Sequence, residues 1–175
     1  MIFFNKKTAG FTIIELIVSV SIIILMTGLF LNNYHSTNKR SELSLAAQKL
    51  ASDIRLMQSR SLSSTKFGGN VPNGGWGIYF NKTTNPGSYI FFADDNFPNP
   101  PTYLFDTLEE DEEINLPANI TLGHVGNSVS IVFEPPAPAT YINGLNLGSI
   151  NIVLTDGEST KTVLVNFFGL VDVMD

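Results

Sequence analysis

The sequence predicts an α+β chain: a long N-terminal helix, half of it membrane-spanning, followed by a mostly antiparallel β-sheet head. Three observations predict it. An apolar run from Phe11 to Leu31 carries a single charge, Glu15. Behind it, Leu43, Ala46, Ala47, Leu50, Ile54 and Met57 recur at helical spacing and make a narrow apolar stripe. From Trp76 onward, short β-branched and aromatic runs alternate with clusters of Gly, Pro, Asn and Asp.

Residues 1–10 form a short segment with Lys6 and Lys7 and no acid. Residues 11–31, read as the transmembrane half of the helix, span roughly 32 Å at about 1.5 Å per residue, a match to the hydrocarbon core of a bilayer. The two lysines ahead of the run predict a cytoplasmic N-terminus. The run ends in Leu31-Asn32-Asn33-Tyr34-His35, without the small-x-small pattern of a cleaved secretory signal. A plain single-span anchor accounts for the length but not for Glu15. An ionised carboxylate in hydrocarbon costs about 2.5–3.5 kcal/mol, less near the interface, so this residue requires a partner.

Residues 32–62 are the amphipathic half of the same helix, about 80 Å long in all if it runs from Phe11 to Leu62. The stripe is expected to cover the core of the head. The opposite face carries Lys39, Glu42, Lys49, Ser52, Asp53, Arg55 and Arg60, and the expectation for Arg55 and Arg60 is solvation. Residues 63–175 are the head. Ser61 to Gly75 reads as a loop, broken by Gly68-Gly69-Asn70 and Pro72-Asn73-Gly74-Gly75. Strands are expected at Trp76–Phe80, Ser88–Ala93, Ile120–Gly123, Val129–Phe133, Ser149–Leu154, Thr162–Phe168 and Leu170–Val173. The turn Asp156-Gly157-Glu158-Ser159 joins two of them as a hairpin. Phe97–Thr102 and Pro135–Pro138 are proline-bearing loops.

Charge separates the two parts. From Lys39 to Arg60 five basic residues face two acids, a net +3; beyond Leu62 three lysines face thirteen acids, a net −10. An acidic head repels phosphate backbones, which disfavours nucleic-acid binding there; the basic stem is the weaker candidate for such contacts or for acidic lipid head groups. The chain has no cysteine, which rules out thiolate chemistry and cysteine-based metal sites. His35 and His124 stand alone, without metal-ligand spacing. The acidic run Glu109–Glu113 invites a calcium reading, but consecutive acids lack the spacing of a ligand loop, so it is read as a solvated run, and Asp94-Asp95-Asn96 is no better. No phosphate-cradling glycine loop and no Gly-x-Ser-x-Gly elbow occurs. The reading is therefore no metal, no cofactor and no enzymatic activity.

Lys7-Thr8-Ala9-Gly10-Phe11-Thr12-Ile13-Ile14-Glu15-Leu16 resembles the prepilin processing motif of type IV pilins and type II secretion pseudopilins. Glycine, aromatic, Thr and Glu stand at the family's spacing, with Lys6 and Lys7 upstream and a long apolar run behind. The resemblance implies that residues 1–10 are a leader and that a prepilin peptidase cuts between Gly10 and Phe11. It further implies that Phe11 becomes the N-methylated terminus and that Glu15 serves filament assembly, neutralising the terminal amine of a neighbour. Glycine at the cut lets a protease approach the backbone closely. In the head, Gly75-Trp76-Gly77-Ile78-Tyr79-Phe80, Leu116-Pro117-Ala118-Asn119-Ile120 and Phe168-Gly169-Leu170-Val171 more diffusely resemble the GspH/FimT-like minor pseudopilins. The helix lacks the proline and the head lacks the disulfide loop common in major pilins, which fits a minor subunit.

The resemblance implies a pilin-like fold, a single-pass inner-membrane protein with an exported head, and low-copy incorporation into a pilus or pseudopilus. Its implied partners are other pilin or pseudopilin subunits through the N-terminal helix, the prepilin peptidase, the inner-membrane assembly platform and the bilayer. Two further readings compete. One is a pilus-associated binding module for DNA uptake or adhesion; the other is a signal-anchored exported enzyme, with Gly10 and Glu15 coincidental.

Overall fold

The computed structural model describes residues 10–123, 126–136 and 139–174. Lys6, Lys7 and His124 lie outside the described residues, as does the second half of the Pro135–Pro138 loop. The chain divides into two compact units, Met1–Lys39 and Arg40–Asp175. One helix, α1 (Ile13–Leu62), starts in the first and ends in the second.

In the first unit, Ile13–Phe30 is long and apolar enough to cross a membrane, with a mean hydropathy of 2.5 and no part of it buried. Thr12 opens the helix. Its carbonyl accepts the Leu16 N–H at 3.2 Å as the first intrahelical bond, and its hydroxyl accepts the Glu15 N–H at 3.3 Å, so one otherwise orphaned donor is met. Ser19, Ser21 and Thr27 donate their hydroxyls to the carbonyls four residues back, at 2.7–2.8 Å. That bonding lets three polar side chains sit in an apolar run without an unmet donor.

The second unit holds the expected β-rich head. A five-stranded sheet is built from β1 (Gly75–Asn81), β2 (Ser88–Asp94), β3 (Glu110–Asn115), β5 (Ser128–Glu134) and β6 (Ala139–Ile142), in the order β3-β2-β1-β5-β6. A four-stranded sheet is built from β4 (Thr121–Leu122), β7 (Ser149–Thr155), β8 (Thr160–Asn166) and β9 (Val171–Met174), in the order β4-β7-β8-β9. Every pairing is antiparallel, and β7 and β8 form the expected hairpin.

Side-chain alternation fixes which face of each strand is buried. Trp76, Ile78 and Phe80 of β1, Tyr89, Phe91 and Ala93 of β2, and Val129, Ile131 and Phe133 of β5 point into one core. The stripe predicted on the stem, joined by Ala51, packs in that same core, as do Ile152, Leu154, Val163, Val165 and Val171 from the other sheet. Each large side chain so buried contributes about 1.5–3 kcal/mol. Polar bonds stitch the helix to the strands around this core. Arg55 Nη2 donates to the Val171 carbonyl at 2.8 Å and Gln58 Nε2 to the Gly169 carbonyl at 2.6 Å. Ser61 Oγ donates to the Phe133 carbonyl, and the Tyr89 hydroxyl donates to Asp53 at 2.5 Å.

Two strands were not expected. Glu110–Glu113 are exposed, as expected of a solvated run, but they belong to a strand: Glu110–Asn115 forms β3 at the edge of the five-stranded sheet, and only Glu109, just before it, is buried. Acids have poor strand propensity, but an edge strand bonded only to β2 leaves its carboxylates in water. The second is β6, four residues directly after the proline loop, which is too short for alternation to be recognised. The expected strand at Thr162–Phe168 stops at Asn166, because the Asn166 side chain accepts the N–H groups of Phe168 and Leu170 and turns the chain into β9.

Candidate functional site

The residues singled out at the N-terminus lie together at the head of α1. Gly10 is exposed, and the space where a Cβ would stand is open. Phe11 is 82% exposed. Both precede the first helical residue, so the peptide between them is outside the helix ladder and open to approach. Glu15 sits in the first turn, where the helix dipole favours a carboxylate. Its backbone N–H is held by Thr12, and its carboxylate has no ion-pair partner among the described residues.

The basic stem is more committed than its sequence suggests. Lys49 pairs with Asp53 at 2.7 Å, and Arg60 pairs with Asp111 of β3 at 2.7 Å. The Arg60 guanidinium also lies 4.9 Å from the Trp76 ring centre and 5.8 Å from that of Phe91. Arg60 is thus half-buried, contrary to the expected solvation, because an acid of the edge strand and two aromatic rings converge on it. Arg55 remains exposed but spends its guanidinium on the Val171 carbonyl.

A site that the sequence did not reveal lies on the outer face of the five-stranded sheet. Phe92 and Val132 point away from the main core and are nevertheless fully buried. Gly77 of β1 lies beside Phe92: a Cβ there would stand 2.8 Å from the Phe92 ring and 2.6 Å from the Ile131 carbonyl. What covers this face is the segment 95–109, which runs across it as a strap. Phe105 stacks on Tyr79 at 4.3 Å and meets Phe92 edge-on at 5.4 Å. Tyr103 stacks on Tyr141 at 3.6 Å, and the two hydroxyls donate to the two oxygens of Glu134 at 2.9 and 3.1 Å. The Phe105 N–H donates to Ser130 Oγ at 3.1 Å.

Both ends of the strap are rooted in buried carboxylates. Asp94, 0% exposed, accepts the Tyr103 N–H at 2.6 Å, the Thr102 N–H at 3.4 Å and the Asn96 amide. Glu109, 5% exposed, accepts the same Asn96 amide at 2.8 Å and the Asp106 N–H at 3.3 Å. Asp106 in turn caps the single 3-10 turn Thr107–Glu109 by accepting the Leu108 N–H at 3.0 Å. The pattern Asp106-x-x-Glu109 is a capping box and was open to recognition in the sequence; the burial of its glutamate was not. Burial raises the pKa of Asp94 above the usual carboxylate range despite its three donors, with Asp95 adding to the rise. Burial, the charge of Asp94 and that of Asp106 push Glu109 up to about 7.

A depression of about 290 Å³ is lined by the strap residues Asp95 and Phe97 with Asn70, Val71 and Asn73, and two more lie on the head. One of about 280 Å³ is lined by Tyr79, Asn81, Asn85, Ser88, Phe105 and Glu110 among others. Its polar groups largely bond one another or β3: Asn81 donates to the Tyr79 hydroxyl, while Asn85 and Ser88 donate to Glu113. The other, about 190 Å³ and mostly apolar, lies between Leu45 and Ala46 of α1 and Tyr89, Leu116 and Pro117. Asp94 and Glu109 line neither. Among the described residues no three of His, Cys, Asp or Glu converge as metal ligands.

Fold and N-terminal geometry together define the class: an α+β protein with one N-terminal helix long and apolar enough to cross a membrane. No family model, no curated protein and no solved structure matches the chain.

Proposed function

We propose that this chain is a minor pilin or pseudopilin precursor, a structural subunit of a type II secretion pseudopilus or a type IV pilus-like filament. The observation that carries the reading is the arrangement at the head of α1. An open Gly10-Phe11 peptide precedes a Thr12-capped helix whose first turn holds Glu15 and whose following surface is apolar and unburied through Phe30. Cleavage after Gly10 removes the basic leader with Lys6 and Lys7 and leaves a cationic amine on Phe11, which is then N-methylated. Glu15 of an incoming subunit neutralises that amine on a neighbour. A desolvated pair of this kind serves register more than stability, and the unburied apolar turns supply the remaining contact between helices.

Before assembly the same helix is the inner-membrane anchor and the head is exported. Packing of the stem on antiparallel sheets supports a pilin-like fold, the lack of cysteine supports a minor subunit, and the head segments Gly75–Phe80, Leu116–Ile120 and Phe168–Val171 support the GspH/FimT-like subfamily. DNA is a poor partner for the head, whose acids outnumber its lysines, and on the stem Lys49, Arg55 and Arg60 already bond within the chain.

The test is the intact mass and N-terminal sequence of the protein co-expressed with a prepilin peptidase, for wild type, Gly10→Ala and Glu15→Ala. The expected result is a mature N-terminus at Phe11, blocked or sharply slowed in Gly10→Ala, with Glu15→Ala cut normally but missing from filaments. A chain still beginning at Met1 beside active peptidase overturns the reading.

A further inference from the structure

The depression of about 280 Å³ lies on the outer face of the five-stranded sheet, where the strap gives way to the turn joining β1 to β2. Phe105 and Thr107 of the strap and Thr84 and Asn85 of that turn line it together. Its lining is of two kinds. Tyr79 and Ile90, register partners on β1 and β2, and Phe105, which stacks on Tyr79 at 4.3 Å, supply apolar surface. Asn85, Ser88, Thr107 and Glu110 supply amide, hydroxyl and carboxylate groups. Several of these groups are held in place. Asn85 Nδ2 and Ser88 Oγ both donate to Glu113 Oε1, at 3.1 and 2.6 Å, and the Tyr79 hydroxyl accepts from Asn81 at 3.1 Å. Such bonds orient the groups without exhausting them: Asn85 retains a carbonyl and a second N–H, Ser88 an acceptor oxygen and Tyr79 its own proton. Among the described residues that line the depression Glu110 alone is charged, so phosphate, sulfate and carboxylate ligands meet no counter-charge.

We propose that this depression binds a neutral sugar ring, a pyranose with uncharged substituents. Such a ring has a face of C–H bonds bordered by hydroxyls, each of which both donates and accepts. The C–H face suits Tyr79, Phe105 and Ile90. The hydroxyl border suits Asn85, Ser88 and Thr107, and the Glu110 carboxylate accepts from two adjacent hydroxyls. Groups already fixed by Glu113 and Asn81 lose little freedom when a ligand arrives. The volume falls just under the ~300–1,000 Å³ of sites that enclose drug-sized ligands, which limits the occupant to a single ring. Thr84, Asn85, Thr107 and Glu110 are exposed, so a ring at the end of a glycan chain fits as well as a free one. The site belongs to the head and does not rest on the filament reading.

Amide NMR titration of the full-length protein, in micelles of a detergent without a sugar head group, tests the site. The probes are the methyl glycosides of glucose, galactose, mannose, N-acetylglucosamine and N-acetylgalactosamine, with the corresponding uronate as the charged control. The expected result is a saturable shift of the Thr84, Asn85 and Thr107 amides by at least one neutral glycoside, with a Kd on the order of 1 mM, as suits so small a ligand. The uronate should bind about tenfold more weakly or not at all. Asn85→Ala and Glu110→Gln alter exposed side chains and should each weaken binding about fivefold, the loss of one hydrogen bond. A methyl disaccharide ending in the same ring separates the two sources: tighter binding marks a glycan chain end, equal binding the free sugar. No saturable shift at these amides with any neutral glycoside overturns the proposal. So does a uronate that binds equally well, or binding that both variants leave unchanged.

Discussion

Arg60, one residue before the buried Ser61 near the C-terminal end of α1, reaches Asp111 on the edge strand β3 at 2.7 Å while lying over the rings of Trp76 and Phe91. The pair ties the last turn of the helix to a strand of four consecutive acids, and it does so in a half-buried setting where a guanidinium holds more than a solvated pair. Arg60→Ala is expected to lower the unfolding free energy by about 1–2 kcal/mol, the sum of the ion pair and the cation–π contact. Arg60→Lys should recover only part of it, since an ammonium cannot stack as the planar group does. Chemical denaturation of the three forms measures the difference; equal midpoints would count against the contact.

Gly77 has no room for a side chain on the outer face of β1. Gly77→Ala is expected to displace Phe92 and loosen the strap above it, at a cost of about 1–3 kcal/mol. Both the denaturation midpoint and the near-ultraviolet signal of the Tyr79–Phe105 and Tyr103–Tyr141 stacks should move. A variant with wild-type stability would mean that Phe92 yields freely.

Glu109 gives the head a characteristic pH dependence. Its carboxyl, ordinarily near 4.5, is pushed up to about 7 in the folded chain by burial and by Asp94 and Asp106. Between those values the folded chain holds a proton that the unfolded chain has released. The stability from this group is therefore complete below about pH 4.5, declines as pH rises, and is gone above about 7. Asp94 is shifted in the same direction. The expected loss between about pH 5 and pH 8 is on the order of 1–3 kcal/mol, read from denaturant midpoints, and Glu109→Gln should flatten it. A head that gains stability over that interval would contradict the assignment.

Asp94 is the anchor whose removal should cost most. Asp94→Ala leaves the Tyr103 and Thr102 N–H groups without their acceptor beneath the strap. Thr102 is exposed, so the larger loss is at Tyr103, where an unsatisfied donor costs about 1–3 kcal/mol. The expected outcome is a large fall in the thermal midpoint together with high exchange throughout 95–109 at every pH. A modest fall would mean that water replaces the carboxylate.

The division of the chain into an apolar helical half, an amphipathic half and a β-rich head was legible because periodicity carries it. The stripe from Leu43 to Met57 and the alternation in β1, β2 and β5 report burial directly. Gly10, Phe11 and Glu15 were legible from spacing, and the structure adds that they are exposed together at one helix end. The strap was not legible, since nothing periodic marks 95–109: it is a loop whose residues acquire meaning only beside Phe92 and Val132. β3 was misread because its acids argue against a strand unless one knows that it is an edge. The roles of Arg55 and Arg60 depend on Val171 and Asp111, which lie 116 and 51 residues away.

The four acids of β3 have a consequence for crowding. An open strand border is an invitation to any other chain with a free border of its own, and such additions have no natural end. Here that border carries Glu110, Asp111, Glu112 and Glu113 in succession. Two copies brought edge to edge would have to align eight carboxylates. Two heads meeting along this border are thereby steered away from sheet-to-sheet fusion.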